Sequence, residues 1–204
     1  MNFNPFTRSP LVGLDIQPDG IFFVILGGRS GAKALPSGIF TEEKITDWQK
    51  LNFCLAELVS EHRLNGMAAA ISVPSTLVRM QTIHLPAGLS DADVEAEIYL
   101  HLQRDLPGMK DELHLDFTVL PQQAGFNDIF FVAIRNEYNS QYIDCVQTAG
   151  LKVKIVDVDV LALERSLKCV LPFTSTDTNF ILHSLNQDKF LLASGLAMRN
   201  APPW

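Results

Sequence analysis

Several features that mark common functional classes are missing from this sequence. There are three cysteines, Cys54, Cys145 and Cys169, far apart and without a CxxC pair. Each lies in an apolar-periodic helical stretch, where a free thiol packs as a small hydrophobe, as suits a reducing compartment. Met1 to Pro10 contains no apolar core of the signal-peptide kind, and the longest apolar runs fall well short of the ~20 residues of a spanning helix. The expectation is a cytoplasmic chain that meets a membrane only through something else. No Lys/Arg cluster interrupts a formal charge of −7, so a phosphate backbone would be repelled and nucleic acid is a poor partner.

Catalytic and cofactor signatures are also missing. No nucleophile elbow, Walker loop or GxGxxG occurs. Gly27-Gly28-Arg29-Ser30-Gly31 reads as a turn between strands, not as a strand-to-helix phosphate cradle. The histidines (His62, His84, His101, His114, His183) have no HxxxH spacing and no cysteine or carboxylate pattern to complete a zinc site, so they read as surface or interface residues. No cofactor, metal or catalytic residue is expected. There is no internal repeat and no low-complexity tract.

What is present is an alternation of strands and helices with clear punctuation. Leu11–Ile16 and Ile21–Leu26 read as strands around Gln17-Pro18-Asp19-Gly20, and a weaker third strand runs toward Phe40. Asp47 is placed to cap a helix from Trp48 to His62, with Trp48, Leu51, Leu55, Leu58 and Val59 on one stripe. Ala68–Val73 is a short buried strand closed by Pro74. Leu77–Leu85 is another, after which Ser90 and Asp93 form a capping box. Val94, Ile98, Leu102 and Leu106 then recur at helical spacing. Leu113–Val119 and Ile129–Ile134 read as strands, and a helix from Asn136 to Ala149 stops at Gly150. Lys152–Val158 is a strand, Asp159 caps a helix through Val170, Leu171–Asp188 is thin in pattern, and Phe190–Met198 closes the chain. The composition, 47% hydrophobic and 19% charged, is that of a folded α/β protein.

The acids at strand ends admit two readings. Asp15, Asp157 and Asp159 could converge on Mg²⁺, as in ribonuclease H-like nucleases. Alternatively, Asp159 caps its helix, Asp157 is half-exposed, and Asp15 has no chemical role. The acidic surface favours the second.

An ordered set of stretches resembles the PilM family of type IV pilus assembly. It comprises Leu11-Val12-Gly13-Leu14-Asp15-Ile16; the run from Ile83 through Leu85-Pro86-Ala87-Gly88-Leu89-Ser90-Asp91; Leu115-Asp116-Phe117-Thr118-Val119-Leu120; Ala149-Gly150-Leu151-Lys152-Val153; Val156-Asp157-Val158-Asp159; Ala162-Leu163-Glu164-Arg165; and Leu191 to Arg199.

The resemblance implies an actin-like fold of the kind seen in FtsA. A ribonuclease H-like subdomain (1–74 and 158–204) would carry a smaller inserted α/β subdomain (75–157). Family members continue into a second, adenosine-binding lobe, for which the eighteen residues of Leu171–Asp188 leave no room. The family's Ser-rich, Lys-bearing phosphate hairpin reads here Gln17-Pro18-Asp19-Gly20-Ile21-Phe22. Pro18 has no N–H to offer, Asp19 repels phosphate, and Phe22 stands in the lysine's place. The implied function is a non-enzymatic scaffold at the inner membrane. It would bind the cytoplasmic N-terminal peptide of a PilN-like protein, without nucleotide, in a groove between the two subdomains. Ile83, Leu85, Leu89, Val94 and Ile98 are the candidate groove residues, and all five read equally well as core. The alternatives are an actin-like ATPase whose site around Asp15 is completed by a partner's lobe, and the nuclease. A homo-oligomer fits the family as well.

Overall fold

The computed structural model describes residues 10–42, 44–105, 112–121, 125–170 and 189–200. Leu106, His183, the Cys169 side chain, Leu171–Asp188 and the last four residues lie outside that description. The chain divides into a large unit, Met1–Pro74 with Tyr142–Trp204, and a small one, Ser75–Gln141.

The large unit is built on a five-stranded sheet. Strand β1 (Leu11–Gln17) turns through Pro18-Asp19 into antiparallel β2 (Gly20–Ile25), which pairs with β3 (Ser30–Ala34). The weak third strand is thus shorter than expected, and Phe40–Thr41 (β4) instead forms a small ribbon with Lys44–Ile45 (β5). On the other side of β1 lie β6 (Ala68–Val73) and then β10 (Lys152–Val158), both parallel, giving the order β10-β6-β1-β2-β3. Pairing of β10 with β6 brings the chain back into the large unit at Tyr142, not at Val158. The sequence division overshot because a strand pattern is local while its hydrogen-bonding partner is not.

Helices cover both faces of this sheet. Helix α1 (Trp48–Glu61) starts where Asp47 Oδ1 accepts from the Lys50 N–H at 2.8 Å, and it buries Leu51, Cys54, Leu55, Leu58 and Val59. His62, just past its end, meets Phe23 edge-on at 4.8 Å between ring centres. Gly13 and Asp15 point to the opposite face, which receives α4 (Asp159–Val170) and the closing helix α5 (Leu191–Ala197). There Leu11, Ala70, Ala162 and Leu196 form one cluster.

The small unit is a three-stranded antiparallel sheet, β7 (Val78–Pro86), β9 (Phe126–Arg135) and β8 (Leu113–Pro121), with β9 in the middle. Helix α2 (Asp91–Asp105) opens with the expected box: Ser90 Oγ accepts from the Asp93 N–H, and Asp93 Oδ2 accepts from the Ser90 hydroxyl at 2.6 Å. Val94, Ile98 and Leu102 pack on Leu85, Leu113, Ile129, Phe131 and Ala133. Helix α3 (Asn136–Thr148) leads back to the large unit and ends at Gly150, whose φ of +107° suits a residue without Cβ.

Candidate functional site

Three polar side chains stand in a row across β1, β6 and β10, at the carboxyl ends of the strands: Asp15, Ser72 and Asp157. All three are buried, with Asp15 only 2% and Asp157 6% exposed. Residues buried this deeply need partners. Asp15 finds neutral ones. It accepts from Gln17 Nε2 at 2.5 Å and from Ser72 Oγ at 3.4 Å. Asp157 finds cations, with Arg165 Nη2 of α4 at 2.9 Å and Arg199 Nε beyond α5 at 3.5 Å. Arg165 also donates to the Gly195 carbonyl at 2.8 Å, tying β10 and α4 to the closing helix.

Asp157 is therefore not half-exposed as its sequence position implied. It is the buried anchor of an arginine pair, whose members lie eight and forty-two residues further along the chain. Arg165 was visible as part of the Ala-Leu-Glu-Arg stretch, but nothing local assigned it to Asp157. Asp159 opens α4, its Oδ1 accepting from the Val160 N–H at 2.6 Å. The sequence ranking of the two acids is accordingly reversed. Asp157→Ala is expected to cost about 1–3 kcal/mol by stranding two guanidinium groups that remain partly hydrated. Asp159→Ala is expected to cost about 0.5–2 kcal/mol, with the smaller loss of the pair. Urea melts of the two variants check the order.

Asp15 is the electrostatic exception. Burial pushes its carboxyl up to about 6, against the hydrogen bonds from Gln17 and Ser72, and the charge of Asp159 adds to the rise. A carboxyl raised in the folded state favours folding when protonated. Its contribution is complete below the unfolded value near 3.8 and is lost as pH rises through about 6. Asp15→Asn is therefore expected to stabilise the protein at pH 7 by at most about 3 kcal/mol. The gain should vanish in acid below the unfolded value, which melting curves across that range will show. The phenol of Tyr142 is held well above its usual range by burial and by the charges of Asp159 and Asp15.

The hairpin beside this row is engaged by the chain's own closing segment. Lys189 Nζ lies 2.6 Å from Asp19 Oδ2, and Phe190 meets Phe22 edge-on at 5.6 Å. Among the described residues, no three His, Cys, Asp or Glu side chains are arranged to hold a metal ion, and no helix is long and apolar enough to cross a membrane.

The five candidate groove residues separate. Leu85, Val94 and Ile98 belong to the small unit's core, Ile83 is half-buried against it, and Leu89 is exposed after the Pro86-Ala87-Gly88 break. The core positions hold the unit together; Leu89 alone of the five is open to solvent.

The family model described as type IV pilus assembly protein PilM matches residues 28–185. The chain belongs to the PilM family. Among solved structures, this PilM-family chain is similar to one titled "PilM-PilN type IV pilus biogenesis complex", with a TM-score of 0.65 and 20% identity over 79% of this chain. It spans about half, 51%, of that chain's length. It is also similar, with a TM-score of 0.50 and 15% identity, to the cytoplasmic domain of EpsL, an inner-membrane component of the Vibrio cholerae type II secretion system. That match covers 76% of this chain and 59% of the other. The mixed α/β, actin-like fold expected from the sequence agrees with both likenesses.

Proposed function

We propose that this PilM-family chain is a non-enzymatic scaffold of type IV pilus assembly. In this reading it holds the cytoplasmic N-terminal peptide of a PilN-like inner-membrane protein, and does so without nucleotide. It is then a cytoplasmic protein, peripheral to the inner membrane through that partner. The observation that carries the reading is the family match, together with the structural likeness to a PilM-PilN type IV pilus biogenesis complex.

The geometry of the large unit supports the nucleotide-free half of the reading. A phosphate site needs free N–H groups or cations. The β1–β2 turn offers Pro18, which has no N–H, and Asp19, which is already paired with Lys189. The two arginines near the row of acids are spent on Asp157. A second reading, ATP binding completed by a partner, draws on Asp15, a buried acid whose side-chain hydrogen-bond partners among the described residues are neutral and which carries a cost to the fold at neutral pH. Thermal shift with Mg–ATP separates the two. The scaffold reading expects no change at millimolar nucleotide, whereas a rise in Tm that Asp15→Asn abolishes would favour ATP binding.

A further inference from the structure

The chain's negative charge is unevenly divided. Residues 75–141 hold ten Asp or Glu against four Lys or Arg, a formal −6 of the whole chain's −7. The large unit is thus close to neutral, and the small unit is strongly acidic.

The same unit exposes apolar side chains at one end. In β9, Ile129 and Phe131 face α2, so Phe126 and Asp128 face away from it. Leu120 of β8 stands opposite Asp128, and Pro86 of β7 opposite Phe126. Leu120 is 47% and Phe126 53% exposed, which leaves much of both side chains in water. The Ala87 N–H donates to the Gly125 carbonyl at 2.9 Å, so the loop carrying exposed Leu89 lies at this same end. Acids surround it. Asp91 and Asp93 open α2 there, exposed Asp116 shares the sheet face of Leu120, and Asp128 pairs with His84 across the strands.

We infer that this apolar, acid-rimmed end of the small unit, marked by Leu120, Phe126 and Leu89, docks a segment that is both apolar and cationic, of the kind found beside the membrane span of an inner-membrane protein. The inference rests on the scaffold reading and specifies the surface and the charge of the partner. Cytoplasmic stretches next to spanning helices are rich in Lys and Arg. Their charges complement the rim, and their apolar residues can cover Leu120 and Phe126. An anionic bilayer presents apolar chains behind negative headgroups, which the same rim repels. Opposite charge on the two partners speeds encounter, and salt screens it.

The test uses a synthetic peptide copying the cytoplasmic N-terminal segment of a PilN-like protein, and an analogue with its Lys and Arg changed to Gln. Binding to the full chain is followed by fluorescence anisotropy at low and at physiological salt. The wild type should bind the native peptide, and the neutral analogue roughly ten-fold more weakly. Leu120→Ser with Phe126→Ser should lose roughly ten-fold or more. Each single change serves if the pair disturbs the melting curve. Asp91→Asn with Asp116→Asn should slow association and flatten the salt dependence. If the wild type binds and every folded variant binds equally well, this surface is wrong and the scaffold reading survives. If the wild type ignores the peptide, both fall. If anionic vesicles sediment the wild type but not the Phe126→Ser variant, the occupant is a membrane and the inference is overturned.

Discussion

Gly195→Ala is expected to detach the closing helix from the large unit. A Cβ on Gly195 would sit 1.8 Å from the Ala162 carbonyl oxygen and 2.6 Å from its carbon, both backbone atoms of α4. On the other side of α5, a Cβ on Gly13 would meet the Ala193 oxygen at 2.0 Å and the Ala197 nitrogen at 2.5 Å. The helix is thus wedged between α4 and β1 with a glycine at each contact, and neither contact involves a side chain that could rotate away. Lifting α5 exposes Leu191, Leu196 and Ala197 and removes the Gly195 carbonyl from Arg165. Arg199 loses its approach to Asp157 at the same time. The expected loss is about 4 kcal/mol or more, at the extreme of single substitutions. Gly28→Ala is the control. Its nearest neighbour would be 3.4 Å away, and the expected change is within about 0.5 kcal/mol. Thermal melts of the two variants side by side decide the matter. A wild-type melt for Gly195→Ala would mean that α5 is not seated on α4 as described.

The second large effect separates fold from binding. Leu85→Glu places a charge in the small unit's core, where no cation faces it within the cluster. The desolvation penalty then exceeds what a small sheet with one helix can absorb, and the unit should lose its cooperative melt. Leu89→Glu changes a residue 37% exposed, so its melt should match the wild type. If Leu89 touches the partner, uncharged Leu89→Ser should bind a PilN-like peptide roughly ten-fold more weakly, since a glutamate there would add to the attraction for a cationic segment. Unchanged affinity in folded Leu89→Ser would remove Leu89 from the interface.

These two leucines also show where sequence reading stops. Leu85 and Leu89 lie in one apolar stretch, and periodicity alone could not say which faces a helix and which faces water. That depends on the Pro86-Ala87-Gly88 break, which turns the chain between them. Local chemistry was legible. Pro18-Asp19 made the turn, Asp47 capped α1, and Ser90 with Asp93 closed their box, because each acts on residues no more than three positions away. Long-range pairing was not legible. The partnership of β10 with β6 moved the division between the units, and the meeting of Asp157 with Arg199 turned a supposedly half-exposed acid into a buried anchor. The resemblance located the acids of the strand ends, yet it carried no information about which cation would reach them.

The central claim is that the chain works by holding a PilN-like peptide and has no use for nucleotide. Isothermal titration calorimetry of the same protein sample with each ligand tests it most directly. The account predicts saturable heat with one peptide bound per chain, and no heat from Mg–ATP at millimolar concentration. Saturable heat from Mg–ATP that Asp15→Asn abolishes, with a silent peptide titration, would contradict it.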